Sequence, residues 1–208
     1  MKVIAGTGKT FLASKVIDEI RSALESNPND EGLAFFYCKR NEAVRQEPLS
    51  VLRSFLRQLS TTTYHKVSMQ KGLRQFCIQT RLQASEPTIS ACKELIFELI
   101  NLYPKTTLIL DALDECDKYE RGVLIEIFDY FVEKSSRPVK IFVSSRPDSD
   151  IKERFKSKAN IEIQATDNHS DISRFVESEI TKHRRWSKMS ARLQNEIIHT
   201  LQDRSQGM

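Results

Sequence analysis

The sequence predicts a three-layer α/β fold built on a mostly parallel sheet, and three observations predict it. Short apolar runs suited to buried strands recur at residues 33–38, 106–111 and 139–144. Stretches with apolar residues at helical spacing separate them. Parallel neighbours need a crossover between them, so this alternation places the strands in one sheet with helices on both faces.

The elements follow in order. Leu12, Val16, Ile17, Ile20 and Leu24 mark a first helix, stopped by the turn Asn27-Pro28-Asn29-Asp30. The aromatic-rich run 33–38 is a strand. Helices are predicted near 49–59, 67–82 and 89–102, the last beginning at Pro87 and Thr88 and ended by Pro104. The strand 106–111 ends in Asp111, and a helix over 121–133 carries Val123, Leu124, Ile127, Phe128 and Phe131 until Pro138. After the strand 139–144 come a short helix at 149–155 and a weaker fourth strand, Ile161-Glu162-Ile163. Two helices near 170–183 and 190–202, each opened by a serine cap, finish the chain.

At 208 residues the length suits one well-buried core. With 39% hydrophobic and 29% charged residues the composition is that of a globular chain rather than a disordered one. The net charge of +4 comes from 32 basic against 28 acidic residues, so no strong field calls for a nucleic acid. Cys38, Cys77, Cys92 and Cys116 show neither CxxC pairing nor zinc spacing and read as buried reduced thiols. Val3-Ile4-Ala5 is too brief for a leader or a membrane span, which makes a reducing cytoplasm the expected setting.

Three segments carry chemistry. Gly6-Thr7-Gly8-Lys9-Thr10 runs straight into a helix. Glycines let backbone N–H groups turn inward around phosphate oxygens, and a helix N-terminus adds a favourable dipole. Lys9 is placed to reach the β- and γ-phosphates and the Thr10 hydroxyl to ligate Mg²⁺. The second segment, LILDALDECD, sets Asp111 at the carboxyl end of a buried strand, where ligands bind in open α/β sheets. A carboxylate there suits the water shell of Mg²⁺. Asp114 and Glu115 follow at the same rim, and either is placed to orient an attacking water. The third, Val143-Ser144-Ser145-Arg146-Pro147, brings a hydroxyl and a permanently charged guanidinium to that rim. Each alone has a bland reading as a solvated turn; their order along one sheet edge is what makes them a set.

GTGKTFLASKVI, TLILDALDECD and KIFVSSRPDSDI resemble the Walker A, Walker B and sensor 1 segments of NACHT domains, specifically the nephrocystin-type modules of fungal STAND proteins. The resemblance implies a P-loop NTPase core over residues 1–165, with sheet order 5-1-4-3-2, and a helical extension over 166–208 that starts a lid or winged-helix region. It implies a Mg²⁺-dependent ATP/ADP switch with slow hydrolysis at most. Cofactor binding falls to Gly6, Thr7, Gly8, Lys9, Thr10 and Phe11, the metal to Thr10 and Asp111, and catalytic or sensor roles to Asp114, Glu115 and Arg146. The implied partners are the nucleotide, further copies of the chain, or effector domains in a longer parent. Because only two residues precede Val3, the first strand is expected to be largely missing and the chain to be cut short at both ends.

Two other function classes fit the same residues. A relic or interaction module would keep the fold without the ligand, and a small-molecule kinase would use the same loop with an acceptor pocket. The basic cluster His183-Arg184-Arg185-Trp186 suits a helix C-terminus better than a nucleic acid surface. Phe55, Leu56, Leu59, Leu73 and Phe76 fit core packing better than a partner face.

Overall fold

The run Thr106–Asp111 is buried at every position. A strand that alternates its side chains across a sheet can be buried throughout only if both faces are covered, which makes this strand the centre of the fold. The computed structural model describes residues 8–27, 31–60, 87–163, 169–182 and 186–204. They fall into two compact units, residues 10–151 and residues 8–9 with those from 152 onward.

In the larger unit α1 (Lys9–Ser26) leads to β1 (Gly32–Tyr37), a 3₁₀ turn (Ala43–Arg45) and α2 (Pro48–Ser60). Then come α3 (Ile89–Leu102), β2 (Thr106–Asp111), a second 3₁₀ turn (Leu113–Glu115), α4 (Arg121–Lys134), β3 (Val139–Val143) and α5 (Ser149–Phe155). The described sheet is parallel, in the order β1-β2-β3, with Phe35 opposite Ile109 and Ile109 opposite Phe142. Those three side chains share one face, and α1 packs there through Ala13 and Ile17 against Ile109.

Helices α2 and α3 form the neighbouring layer, α2 lying against both α3 and β1, while α4 lies against β3. Phe55 of α2 stacks on Phe128 of α4 with ring centres 6.2 Å apart. The start of α3 is fixed by Thr88, whose hydroxyl accepts the N–H of Ala91 at 3.2 Å. The outer edge of β1 is sealed by a side chain. Gln58 of α2 accepts the N–H of Phe35 at 3.1 Å and donates to its carbonyl at 2.7 Å, imitating a further strand.

In the smaller unit α6 (His169–Thr181) packs on α7 (Ala191–Arg204), joined through a 3₁₀ turn (Trp186–Lys188) that the sequence pattern does not signal. The Ser190 hydroxyl accepts from Leu193 N–H at 3.4 Å, as a cap for α7 should, whereas α6 begins at His169, one residue before the expected serine.

The predicted strands 33–38, 106–111 and 139–144 are present in their predicted sequence of neighbours. The predicted fourth strand is not. Among the described residues Ile161-Glu162-Ile163 carries no strand pairing, and Ile161 is 87% exposed, because three residues offer too few ladder bonds to offset the ordering of the chain. The predicted first strand and the helix at 67–82 lie outside the described residues, as do Cys77 and the cluster 183–185. Cys38, Cys92 and Cys116 are buried and free, as expected. Among the described residues no helix is long and apolar enough to cross a membrane.

Gly32 opens β1 under the ring of Tyr103, which is wholly buried and hydrogen-bonds the Leu59 carbonyl at 2.5 Å. A Cβ at Gly32 would stand 2.8 Å from Tyr103 Cδ2 and 2.9 Å from Cγ. Gly32→Ala should therefore destabilise by about 1–3 kcal/mol in urea unfolding, the overpacking outweighing the gain from a stiffer unfolded chain. An unchanged or raised midpoint would show that Tyr103 yields freely.

Candidate functional site

The carboxyl end of β2 delivers Asp111 into the interior, where it is 3% exposed. A carboxylate so placed needs partners for both oxygens. Oδ2 accepts the Thr10 hydroxyl at 2.7 Å, from the first turn of α1 and 101 positions away in sequence. Oδ1 accepts a short hydrogen bond from the Ser144 hydroxyl, one residue past β3. Three elements thus meet on one side chain.

Ser144 does more than that. Its Oγ accepts the N–H of Ala112 at 3.0 Å and its carbonyl accepts the N–H of Leu113 at 2.9 Å. Between Asp111 and the 3₁₀ turn the chain reverses through Ala112 at φ 58°, a left-handed conformation that L-residues other than Gly seldom take. The two bonds from Ser144 hold it there, which is how the acidic turn reaches the rim.

Asp114 is buried and turned toward cations. Its Oδ1 accepts the N–H of Arg146 at 2.8 Å, and its Oδ2 lies 3.5 Å from Arg146 Nε and 3.9 Å from Arg40 Nη2. That Oδ2 has ion pairs but no hydrogen bond of its own. Glu115, half-buried, accepts the N–H of Arg40 at 3.0 Å, and the Arg40 guanidinium donates to the Asp114 carbonyl at 3.1 Å. Two arginines and two acidic residues are therefore interlocked beside Asp111, with both guanidiniums on Asp114 and the Arg40 backbone on Glu115.

The segment carrying Arg146 is tied down from behind. Arg121, only 2% exposed, opens α4 and donates to Asp150 Oδ2 at 2.7 Å, to Asp150 Oδ1 through a short second bond, and to Asp148 Oδ2 at 3.1 Å. The fork fits a carboxylate edge with two parallel bonds.

The structure therefore brings Thr10, Asp111, Asp114, Glu115 and Arg146 to one end of the sheet, with Ser144 among them. Gly8 takes φ 80°, a value that suits glycine, directly before Lys9, the first residue of α1. Phe11 is 77% exposed, and Gly6 and Thr7 lie outside the described residues. Sequence reasoning left out Arg40, Arg121, Asp148 and Asp150. Arg40 sits just past a strand end, the same signal that marked Arg146; Arg121 looked like any helix-opening residue, and only burial distinguishes it.

Among the described residues no three His, Cys, Asp or Glu side chains cluster as a metal cage. A hydroxyl and a carboxylate oxygen in contact at a strand end are instead the sparse, hard donors that Mg²⁺ takes when phosphate and water fill the rest of its shell. Thr10 and Asp111 fit the ion.

The bonds from Arg121 hold the Asp150 carboxyl below its ordinary value of 3.8. A depressed folded-state pKa contributes stability that is present above about pH 4 and lost as the pH falls through the folded value. Following the Asp150 carboxyl by NMR should give a midpoint below 3.8 in the parent and a return to the ordinary range in Arg121→Met. Identical midpoints would show that the fork does not bias this loop.

The sequence profile described as nephrocystin 3, N-terminal matches residues 1–146, well over half of the chain. No curated protein matches it. The sequence, with its parallel sheet and the rim just described, belongs to the nephrocystin 3 N-terminal family.

Proposed function

We propose that this chain is a NACHT-type P-loop switch domain that binds ATP or ADP with Mg²⁺ and hydrolyses ATP slowly at most. The observation that carries the reading is the 2.7 Å bond between Thr10 and Asp111, which joins the start of the helix after a glycine-rich segment to the end of the central strand. A phosphate-loop hydroxyl and a strand-end carboxylate have reason to meet where one ion must touch both.

In this reading Gly6, Thr7 and Gly8 present backbone amides to the phosphates and Lys9 adds a cation, with the helix N-terminus behind them. Thr10 and Asp111 would hold Mg²⁺, which supplies charge neutralisation to the phosphate oxygens when bound. Ser144 keeps the Asp111 carboxylate oriented from its far oxygen.

Arg146 is the sensor. Its side chain now lies against Asp114, so a γ-phosphate must compete with that carboxylate for the guanidinium. ATP and ADP then differ in their hold on the 144–150 segment, the differential interaction a switch requires. Asp114 and Glu115 are the acids for orienting water, and both are engaged by arginines or by arginine backbone, which fits slow turnover. The homo-oligomer or effector contacts of such a switch belong to the same proposal.

A fluorescent ATP analogue titrated with Mg²⁺ should bind the parent saturably. Lys9→Ala should bind at least tenfold more weakly, since a charge-assisted phosphate contact is worth about 1.5–3 kcal/mol. Equal, weak responses from both would reject the phosphate loop and favour a fold that carries no nucleotide.

A further inference from the structure

Beside the nucleotide rim, and unused by it, two thiols face each other. Cys38 follows β1 and Cys116 follows the acidic 3₁₀ turn, with sulfurs 3.9 Å apart and 78 positions between them. Both are nearly fully buried. Their backbones are tied to the end of β2 and to the turn that follows it: the Cys38 N–H donates to the Asp111 carbonyl at 3.0 Å, and the Cys116 N–H to that of Leu113 at 3.1 Å. A disulfide needs its sulfurs at about 2.05 Å, so closing this gap asks for roughly 2 Å of sulfur movement, within reach of χ1 adjustment and a small loop shift.

We propose that Cys38 and Cys116 form a thiol modification site, at which a hydroperoxide converts the pair to an intramolecular disulfide. The two loops bearing the thiols have exposed residues at Lys39, Arg40 and Lys118, so an oxidant needs only a local opening to enter. The roles of the two sulfurs differ. Cys38 donates its S–H to the Cys116 sulfur, and a donor on a sulfur favours its thiolate, which makes Cys116 the attacking sulfur and Cys38 the resolving one. The Gln46 carbonyl, 2.9 Å from the Cys116 sulfur, holds the resting proton.

Cys116, once deprotonated, attacks the peroxide oxygen. An S–O bond forms, the O–O bond breaks, and the departing alkoxide or hydroxide takes a proton, leaving Cys116 as a sulfenic acid. Cys38 then attacks that sulfur, the S–S bond forms, and hydroxide leaves with the Cys38 proton as water. Two thiols are oxidised and one hydroperoxide is reduced to an alcohol and water. Arg40 stands two residues after Cys38, and Asp114 and Glu115 precede Cys116, so the bridge would staple together the segments that already hold the arginine–carboxylate contacts. The inference does not rest on nucleotide binding.

The test treats the folded chain with hydrogen peroxide, blocks free thiols, and maps the peptides by mass spectrometry. The expected product links the Cys38 and Cys116 peptides, reverts with dithiothreitol, and leaves Cys92, buried on α3, reduced. The oxidised parent should melt at least about 5 °C higher than the reduced one, because the bridge closes a long loop. Cys38→Ser, which removes the resolving thiol but keeps a hydrogen-bond donor beside the Cys116 sulfur, should accumulate a Cys116 sulfenic acid that dimedone traps. The proposal is overturned if both thiols are recovered free, if they pair only after urea unfolding, if either links to another cysteine or chain, or if dimedone labels nothing in Cys38→Ser.

Discussion

A buried carboxylate must be satisfied, and the architecture around β2 answers that requirement. Asp111 lies at the end of a strand with no exposed position, so water cannot serve its oxygens freely. One is served by Thr10 from α1 and the other by Ser144 from beyond β3. Satisfying one side chain fixes where α1 starts and how β3 ends. The same serine then stabilises the left-handed Ala112, so the backbone reversal that carries the acidic turn depends on the carboxylate's partner.

Around that centre the charges are arranged in pairs that position loops rather than add stability in bulk. Asp114 faces Arg146 and Arg40, and Arg121 grips Asp148 and Asp150 at the other end of the Arg146 segment. A buried guanidinium with two carboxylates costs desolvation that its ion pairs do little more than offset. Its value lies in geometry: the segment is held at both ends while Arg146 stays partly exposed between them. A small change in what competes for Arg146 can thus be felt along the whole segment.

Much of this was legible in the sequence, and the reasons differ by element. β2 and its terminal acid were readable because a strand buried on both faces leaves an uninterrupted apolar run, and the acid closing it stands out. The helix starting at Thr88 was readable because its cap is a local hydrogen bond. Ile161-Glu162-Ile163 misled because three alternating residues imitate a strand while offering too few ladder bonds to hold one. Gln58 sealing β1 and Arg121 gripping α5 were hidden, since each is a polar residue in a helical pattern whose partner lies far away in sequence. The function of Ser144 was half visible: its place at the rim was plain, but its grip on Asp111 and Ala112 needed the register of three strands.

The proposed switch requires Thr10 and Asp111 to address one ion-bound nucleotide together. A double-mutant cycle on Mg²⁺-nucleotide affinity, with Thr10→Val, Asp111→Asn and the combined variant, tests it most directly. Residues sharing one ion should be strongly non-additive, with a coupling of about 1–3 kcal/mol. Strictly additive losses, or affinities indifferent to either change, would mean that the two side chains share no ion-bound nucleotide.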